Sequence, residues 1–120
     1  MTTQSKAWDE ICNEVFSIHD DIRHIVVASK EGRVLRTYSR AKYVWPSEIV
    51  NQISGVAAAI ISGIFEKTKE YGGEIKYIMA NYERLKLFII QGGENFFLVS
   101  ARRTIPEEAV EAMVRLLKSL

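Results

Sequence analysis

Three segments of this sequence are apolar at consecutive positions of a β-strand, and they restrict the fold more than any other feature. They are residues 25–27 (IVV), 87–90 (LFII) and 96–99 (FFLV). Successive side chains of a strand point to opposite faces of the sheet, so such strands need apolar cover on both sides. The sequence therefore predicts a sheet that is buried between two other layers.

The remaining pattern predicts the element order α-ββ-α-βββ-α. Apolar residues at three- and four-residue spacing predict helices over residues 6–20, about 47–71 and from 106 onward. Thr104 is a candidate N-cap of the last helix. β-rich runs predict strands at residues 24–29, 33–39, 74–82, 84–91 and 96–102, joined by turns that suit antiparallel neighbours. We expect an α/β (α+β) three-layer sandwich with a five-stranded, mainly antiparallel sheet, formed by one domain over residues 1–120.

Charge and cysteine content exclude several classes of partner. The 16 basic and 15 acidic side chains are spread along the chain and leave a formal charge of +1, so no concentrated positive field attracts nucleic acid. Cys12 is the only cysteine, which suits a reducing compartment. The N-terminal MTTQSKAWDE lacks the apolar core of a signal peptide, and we find no apolar run of membrane-spanning length. We therefore predict a cytoplasmic protein without membrane insertion.

No residue pattern indicates catalysis. His19 and His24 have no sequence signature of a serine or cysteine nucleophile around them. Cys12 lies on the apolar stripe of a predicted helix, so we interpret it as a small buried hydrophobic residue. The pairs Asp20-Asp21 and Glu107-Glu108 are consecutive and flank helix ends, so we interpret them as solvated charges. The glycine pairs fit neither nucleotide-binding fingerprint, and no set has metal-ligand spacing. We expect no enzyme activity, no cofactor and no metal.

The long middle helix, SEIVNQISGVAAAIISGIFEKTKEYG, has two different faces when it is projected at about 100 degrees per residue. Glycine inside a helix costs roughly 0.5–1 kcal/mol relative to alanine, and this helix carries two. Close approach of a second helix across a two-fold axis would offset that cost. Alternatively, the small residues admit side chains of the same domain. The apolar face contains Ile49, Ile53, Val56, Ala57, Ile60 and Ile64, and the small-residue face contains Asn51, Gly55, Ala58, Ala59, Ser62 and Gly63.

The third predicted strand is a second candidate contact surface. An open sheet leaves two edges whose backbone groups invite pairing, and this strand is a plausible edge. Its alternating residues Ile75, Tyr77 and Met79 are apolar, and the strand carries only one lysine to oppose edge-to-edge association. Pairing with the same strand of a second subunit would extend the sheet and place two long helices side by side. A dimer is the expected result.

The segments IVVASKEGRVL, QISGVAAAIISGIFEK and RLKLFIIQGGENFFLVSAR, in this element order, resemble the roadblock (dynein light-chain) domain family over about residues 8–120. The resemblance is to its prokaryotic GTPase-regulator type. It implies a profilin-like sandwich, a homodimer or a heterodimer with a related domain, and scaffolding or regulation of a small Ras-like GTPase. Some prokaryotic members stimulate GTP hydrolysis by reshaping the partner's own site, without an arginine finger. By similarity, the face with Gly55, Ala58, Ala59 and Ser62 is the candidate contact.

Two other functions stay open. A domain of this shape can house a pocket, and Tyr43, Trp45 and Tyr77 could line one, which would make the protein a small-ligand sensor. The third reading is a structural subunit of a motor or trafficking assembly. Fold class alone does not decide among these readings.

Overall fold

A five-stranded antiparallel sheet lies between two helical layers in the computed structural model, which describes the backbone of residues 2–120 and the side chains of residues 7–120. The strand order is β2-β1-β5-β4-β3, so β2 and β3 are the two edges. The predicted three-layer sandwich and its element order are confirmed. The elements are α1 (Thr2–Ile18), β1 (Ile22–Ser29), β2 (Val34–Ser39), α2 (Ser47–Ile60), α3 (Glu66–Gly72), β3 (Ile78–Asn81), β4 (Lys86–Gly92), β5 (Asn95–Ala101) and α4 (Glu107–Lys118).

Both faces of the sheet carry an apolar cluster, as the doubly apolar strands require. Helices α1 and α4 cover one face, where Cys12, Phe97 and Met113 are buried in the larger cluster. Helix α2 covers the other face, where Ala57 and Ala58 pack near alternate residues of the same strands. Strand β5 lies in the middle, paired with β1 and β4, and contributes to both clusters. On the α2 side the smaller cluster consists of Ala28, Ala57, Ala58, Leu87, Ile89, Phe96 and Leu98.

The middle helix is continuous over Ser47–Gly72, although one turn of it is widened. Helices α2 and α3 are joined by a π-helical segment, Ile61–Phe65, which contains Gly63. The helix ends where Gly73 adopts a positive φ of 82°, a conformation that glycine reaches without steric cost. The predicted end near residue 71 is therefore close to the observed one.

Strand β3 is shorter than predicted. Its ladder to β4 begins at the pair Ile78 and Ile89, so Ile75 and Tyr77 precede the strand and lie in an irregular segment after the helix. Alternation of apolar residues could not show this limit, because it depends on where the chain arriving from Gly73 first meets β4.

Thr104 is not the N-cap of the last helix; Pro106 occupies that position. The Thr104 hydroxyl instead donates a 2.8 Å hydrogen bond to Oδ2 of Asp21, across the sheet end between β1 and the connection to α4. Asp21 is buried and Arg102 lies 3.6 Å from its other oxygen, so this carboxylate is not the solvated charge that the sequence suggested. The expectation failed because it treated the pair Asp20-Asp21 as part of a helix end alone.

Candidate functional site

The middle helix exposes more apolar surface than a core helix normally does. Within one 18-residue stretch of mean hydropathy 1.5, only 17% is buried in the domain. Ile49, Val56 and Ile64 are 41%, 60% and 53% exposed. This helix is long and apolar enough to cross a membrane by length and composition alone, contrary to our count of apolar runs. Here it packs on the sheet along one side, and its opposite side stays open.

The stripe of the middle helix that the sheet buries lies between the predicted apolar face and the predicted small-residue face. It consists of Ser54, Ala57 and Ala58, with Ile53 and Ile61 half-buried beside it. Ala57 comes from the predicted apolar face and Ala58 from the predicted small-residue face. Because the helix is apolar or small around most of its circumference, its sequence alone does not mark which stripe the sheet covers.

The predicted contact residues of the helix are exposed, with one exception. A Cβ added to Gly55 or to Gly63 would meet nothing within 4 Å, so packing inside the domain gives no steric reason for either glycine. Asn51, Ala59 and Ser62 are also exposed. Ala58 is only 6% exposed and packs in its own domain's core, which removes it from the accessible surface.

The predicted contact residues near β3 lie on a different side of the molecule. Met79 pairs with Phe88, and the Tyr77 ring meets the Phe88 ring edge-on at 5.7 Å between centroids. Phe88 belongs to the cluster beneath α1 and α4, so Tyr77 and Met79 lie on the sheet face opposite α2. They are 37% and 41% exposed. Ile75 is half-buried near the C-terminal half of the helix.

A pocket that sequence reasoning did not locate lies between α2 and the sheet. Its volume is about 260 Å³. Trp45 lines it, as the ligand-sensor reading expected, but Tyr43 is 81% exposed and Tyr77 lies on the other sheet face. The strand register is the signal that could have found it, because His24 pairs with both Ser39 and Ser100 and brings three polar side chains together.

The titratable groups do not assemble into a recognised catalytic set. The Ser39 hydroxyl lies 2.9 Å from Nδ1 of His24, and burial followed by the charge of Arg23 lowers the pKa of His24. Among the described pocket residues, no carboxylate is present to orient that imidazole as in a triad. Burial raises the pKa of the Cys12 thiol to about 12, with Asp9 adding to the shift, so the thiol stays protonated. In residues 7–120, no group of three or more His, Cys, Asp or Glu side chains could hold a metal ion.

The fold defines a small α/β sandwich domain with one helical layer left open to solvent. The Roadblock/LC7 domain family matches residues 9–101, and the chain belongs to that family. No curated protein sequence matches it.

Three solved structures share the fold at low identity. MglB of Myxococcus xanthus has a TM-score of 0.68 at 9% identity, over 92% of this chain and 90% of its own. The gliding protein MglB of Thermus thermophilus has a TM-score of 0.63 at 16% identity, over 92% and 88%. An MglB in a tetrameric arrangement has a TM-score of 0.67 at 16% identity, over 95% and 90%.

Proposed function

We propose that this protein is a non-catalytic, cytoplasmic adaptor that dimerises through its middle helix and β3 edge and binds a small Ras-like GTPase. The dimer scaffolds the GTPase or stimulates its GTP hydrolysis. One observation carries the proposal: a 26-residue apolar helix lies on the domain surface with its outward side uncovered. Exposed apolar surface of this extent is typical of interaction sites in soluble proteins.

The two helix glycines support a second helix as the occupant of this surface. Each glycine lowers helix stability, yet a Cβ at Gly55 or at Gly63 would meet nothing within 4 Å in its own domain. A neighbouring backbone that approaches closely would use this missing side-chain volume. The helix is about 39 Å long at 1.5 Å per residue, so two copies side by side offer a long contact.

The β3 edge supports the same arrangement from the sheet. Ile61 of the middle helix and Ile78 and Ala80 of β3 all pack against the smaller cluster, so the helix and this edge border the same apolar region. Antiparallel pairing of two β3 strands would therefore bring two middle helices together on one side. On the sheet face opposite α2, the same strand pairing would cover Tyr77 and Met79. Assembly of a related fold is seen in the MglB with a tetrameric arrangement.

Membership of the Roadblock/LC7 family and the resemblance to its prokaryotic GTPase regulators support the GTPase as partner. In the proposed mechanism the GTPase supplies its own catalytic residues, and contact with the adaptor reshapes its site. This chain then needs neither a base nor an arginine finger. The exposed residues Asn51, Gly55, Ala59 and Ser62 contact the second subunit or the GTPase. A related roadblock domain could replace one subunit, which would give a heterodimer.

The test mixes the purified protein with each small Ras-like GTPase of its own genome, loaded with GDP or with a GTP analogue. We expect one GTPase to form a complex that depends on the nucleotide, measured by calorimetry. A single-turnover assay with GTP then separates stimulation of hydrolysis from simple tethering. Gly55→Leu should weaken the complex, whereas Glu111→Leu, on the exposed side of α4, should not. Absence of any complex and of any change in hydrolysis would contradict the GTPase role.

A further inference from the structure

The pocket beneath α2 has apolar walls from three parts of the fold. Val26 and Leu98 form its floor on the sheet, Val50 and Ile53 belong to the helix, and Trp45 comes from the connection between β2 and α2. Its volume of about 260 Å³ exceeds the ~150 Å³ of a dry cavity that accommodates benzene. An apolar molecule with two fused rings is therefore of suitable size.

One end of the pocket is polar and incompletely satisfied. Ser100 is 7% exposed, lines the pocket, and its hydroxyl has no hydrogen-bond partner among the described residues. A buried hydroxyl without a partner is unfavourable, because it has lost its water and gained nothing in return. His24 pairs with Ser100 across β1 and β5, and its imidazole is held by the Ser39 hydroxyl at the same end.

The lining carries no full charge to receive an ion. Among the described pocket residues there is no Lys, Arg, Asp or Glu. Burial, with help from Arg23, lowers the pKa of His24, which keeps its ring neutral near pH 7. A charged ligand would lose its hydration without a counter-charge, which is costly. The pocket therefore favours an uncharged molecule.

We propose that this pocket binds a small, uncharged, largely hydrocarbon molecule that carries one hydroxyl or carbonyl group directed at Ser100. The apolar walls accept the hydrocarbon body, and the polar group completes the hydrogen bonding of the buried serine. The pocket shares Asn51 with the proposed contact surface of the middle helix, but its apolar walls and Ser100 do not belong to that surface. Binding in the pocket therefore does not require the proposed GTPase role.

The test uses 2-naphthol, with naphthalene and 2-naphthoate as matched probes of the same ring system. Binding to the full chain is measured by calorimetry and mapped by amide chemical shifts in a ¹H–¹⁵N spectrum. We expect saturable binding of 2-naphthol, with shifts at Val26, Val50 and Leu98. Charged 2-naphthoate should bind at least about tenfold more weakly, since nothing in the pocket compensates its carboxylate.

Three variants assign the site. Ser100→Ala should weaken the binding of 2-naphthol about fivefold, which corresponds to the loss of one hydrogen bond, and should leave the binding of naphthalene unchanged. Val50→Trp fills the pocket and should abolish binding of both, whereas Glu111→Trp on α4 should affect neither. Absence of saturable 2-naphthol binding, or unaltered binding by Val50→Trp, would overturn the site. If Ser100→Ala weakened the binding of 2-naphthol and naphthalene equally, the proposed hydrogen bond to Ser100 would be overturned. The Ser100→Ala variant stays informative if Val50→Trp fails to fold.

Discussion

Gly32, at the tip of the β1–β2 hairpin, lies against the backbone of the middle helix at Gly55. A Cβ on Gly32 would stand 2.8 Å from the Cα of Gly55 and 3.0 Å from the carbonyl oxygen of Ser54. Gly32 also has a φ of +89°, which side-chain-bearing residues rarely adopt. The hairpin and the helix therefore meet backbone to backbone, at a distance that leaves no space for a side chain on Gly32.

Gly32→Ala should destabilise the protein by at least about 2 kcal/mol, because it adds backbone strain and a steric clash together. Urea unfolding measures the change. Gly93→Ala is the matched control, since Gly93 also has a positive φ, of +64°, but a Cβ there would lie 3.7 Å from its nearest neighbour. The Gly93→Ala control should lose only about 1 kcal/mol of unfolding free energy, because its alanine is strained by the positive φ but meets no steric clash. Equal losses in both variants would argue against the close hairpin–helix contact.

Thr104→Val should destabilise the fold by about 1–2 kcal/mol, because it removes a hydrogen bond to the buried Asp21 carboxylate. Valine keeps the shape of threonine and leaves the carboxylate oxygen without this donor. Thr104→Ser keeps the hydroxyl and should stay within about 0.5 kcal/mol of the wild type. If valine and serine have the same effect in urea unfolding, the hydroxyl does not stabilise Asp21.

The Cys12 thiol should make stability fall above pH 9. Its folded pKa of about 12 lies above the ordinary value of 9.0, so between these values only the unfolded chain carries the thiolate. The free energy of unfolding keeps the contribution of the protonated thiol below pH 9 and loses it as the pH rises, by about 1–2 kcal/mol at pH 10. Cys12→Ala should show a flatter profile between pH 8 and pH 10, whatever its stability at pH 8. Parallel profiles for the two proteins would contradict this role of the thiol.

Met79→Lys should weaken self-association while the domain stays folded. Met79 is 41% exposed on an edge strand, and a lysine on such an edge opposes strand pairing between subunits. Sedimentation measured over a range of concentrations should show the dimer dissociating at a higher concentration than in the wild type. Unaltered association would show that β3 is not part of the interface, and the middle helix would then be the only remaining candidate.

The strand pattern was sufficient to predict the sandwich. Consecutive apolar residues in β1, β4 and β5 required cover on both faces, and the structure places α1 and α4 on one side and α2 on the other. Local signals also placed most element ends within a few residues. They failed where the ends depend on distant parts of the chain, as for the start of β3 and for Thr104, whose hydrogen bond reaches Asp21.

The candidate site was predictable only in part. The helix is apolar or small around most of its circumference, so the sequence separated two faces but could not show that Ala58 would be buried in the cluster between the helix and the sheet. The pocket depends on register: His24 and Ser100 are distant in sequence and become neighbours only when β1 pairs with β5. No local pattern carries that information.

The most direct measurement for the central claim is the solution mass of the wild type and of Gly55→Leu by light scattering, with circular dichroism to monitor folding. We predict a wild-type dimer and a folded monomer for Gly55→Leu, because a Cβ at this position would meet nothing within 4 Å and leucine adds bulk to the exposed helix surface. Ala59→Leu should behave in the same way, and Glu111→Leu should remain dimeric. A monomeric wild type, or a Gly55→Leu variant of unaltered dimer mass, would contradict association through this helix.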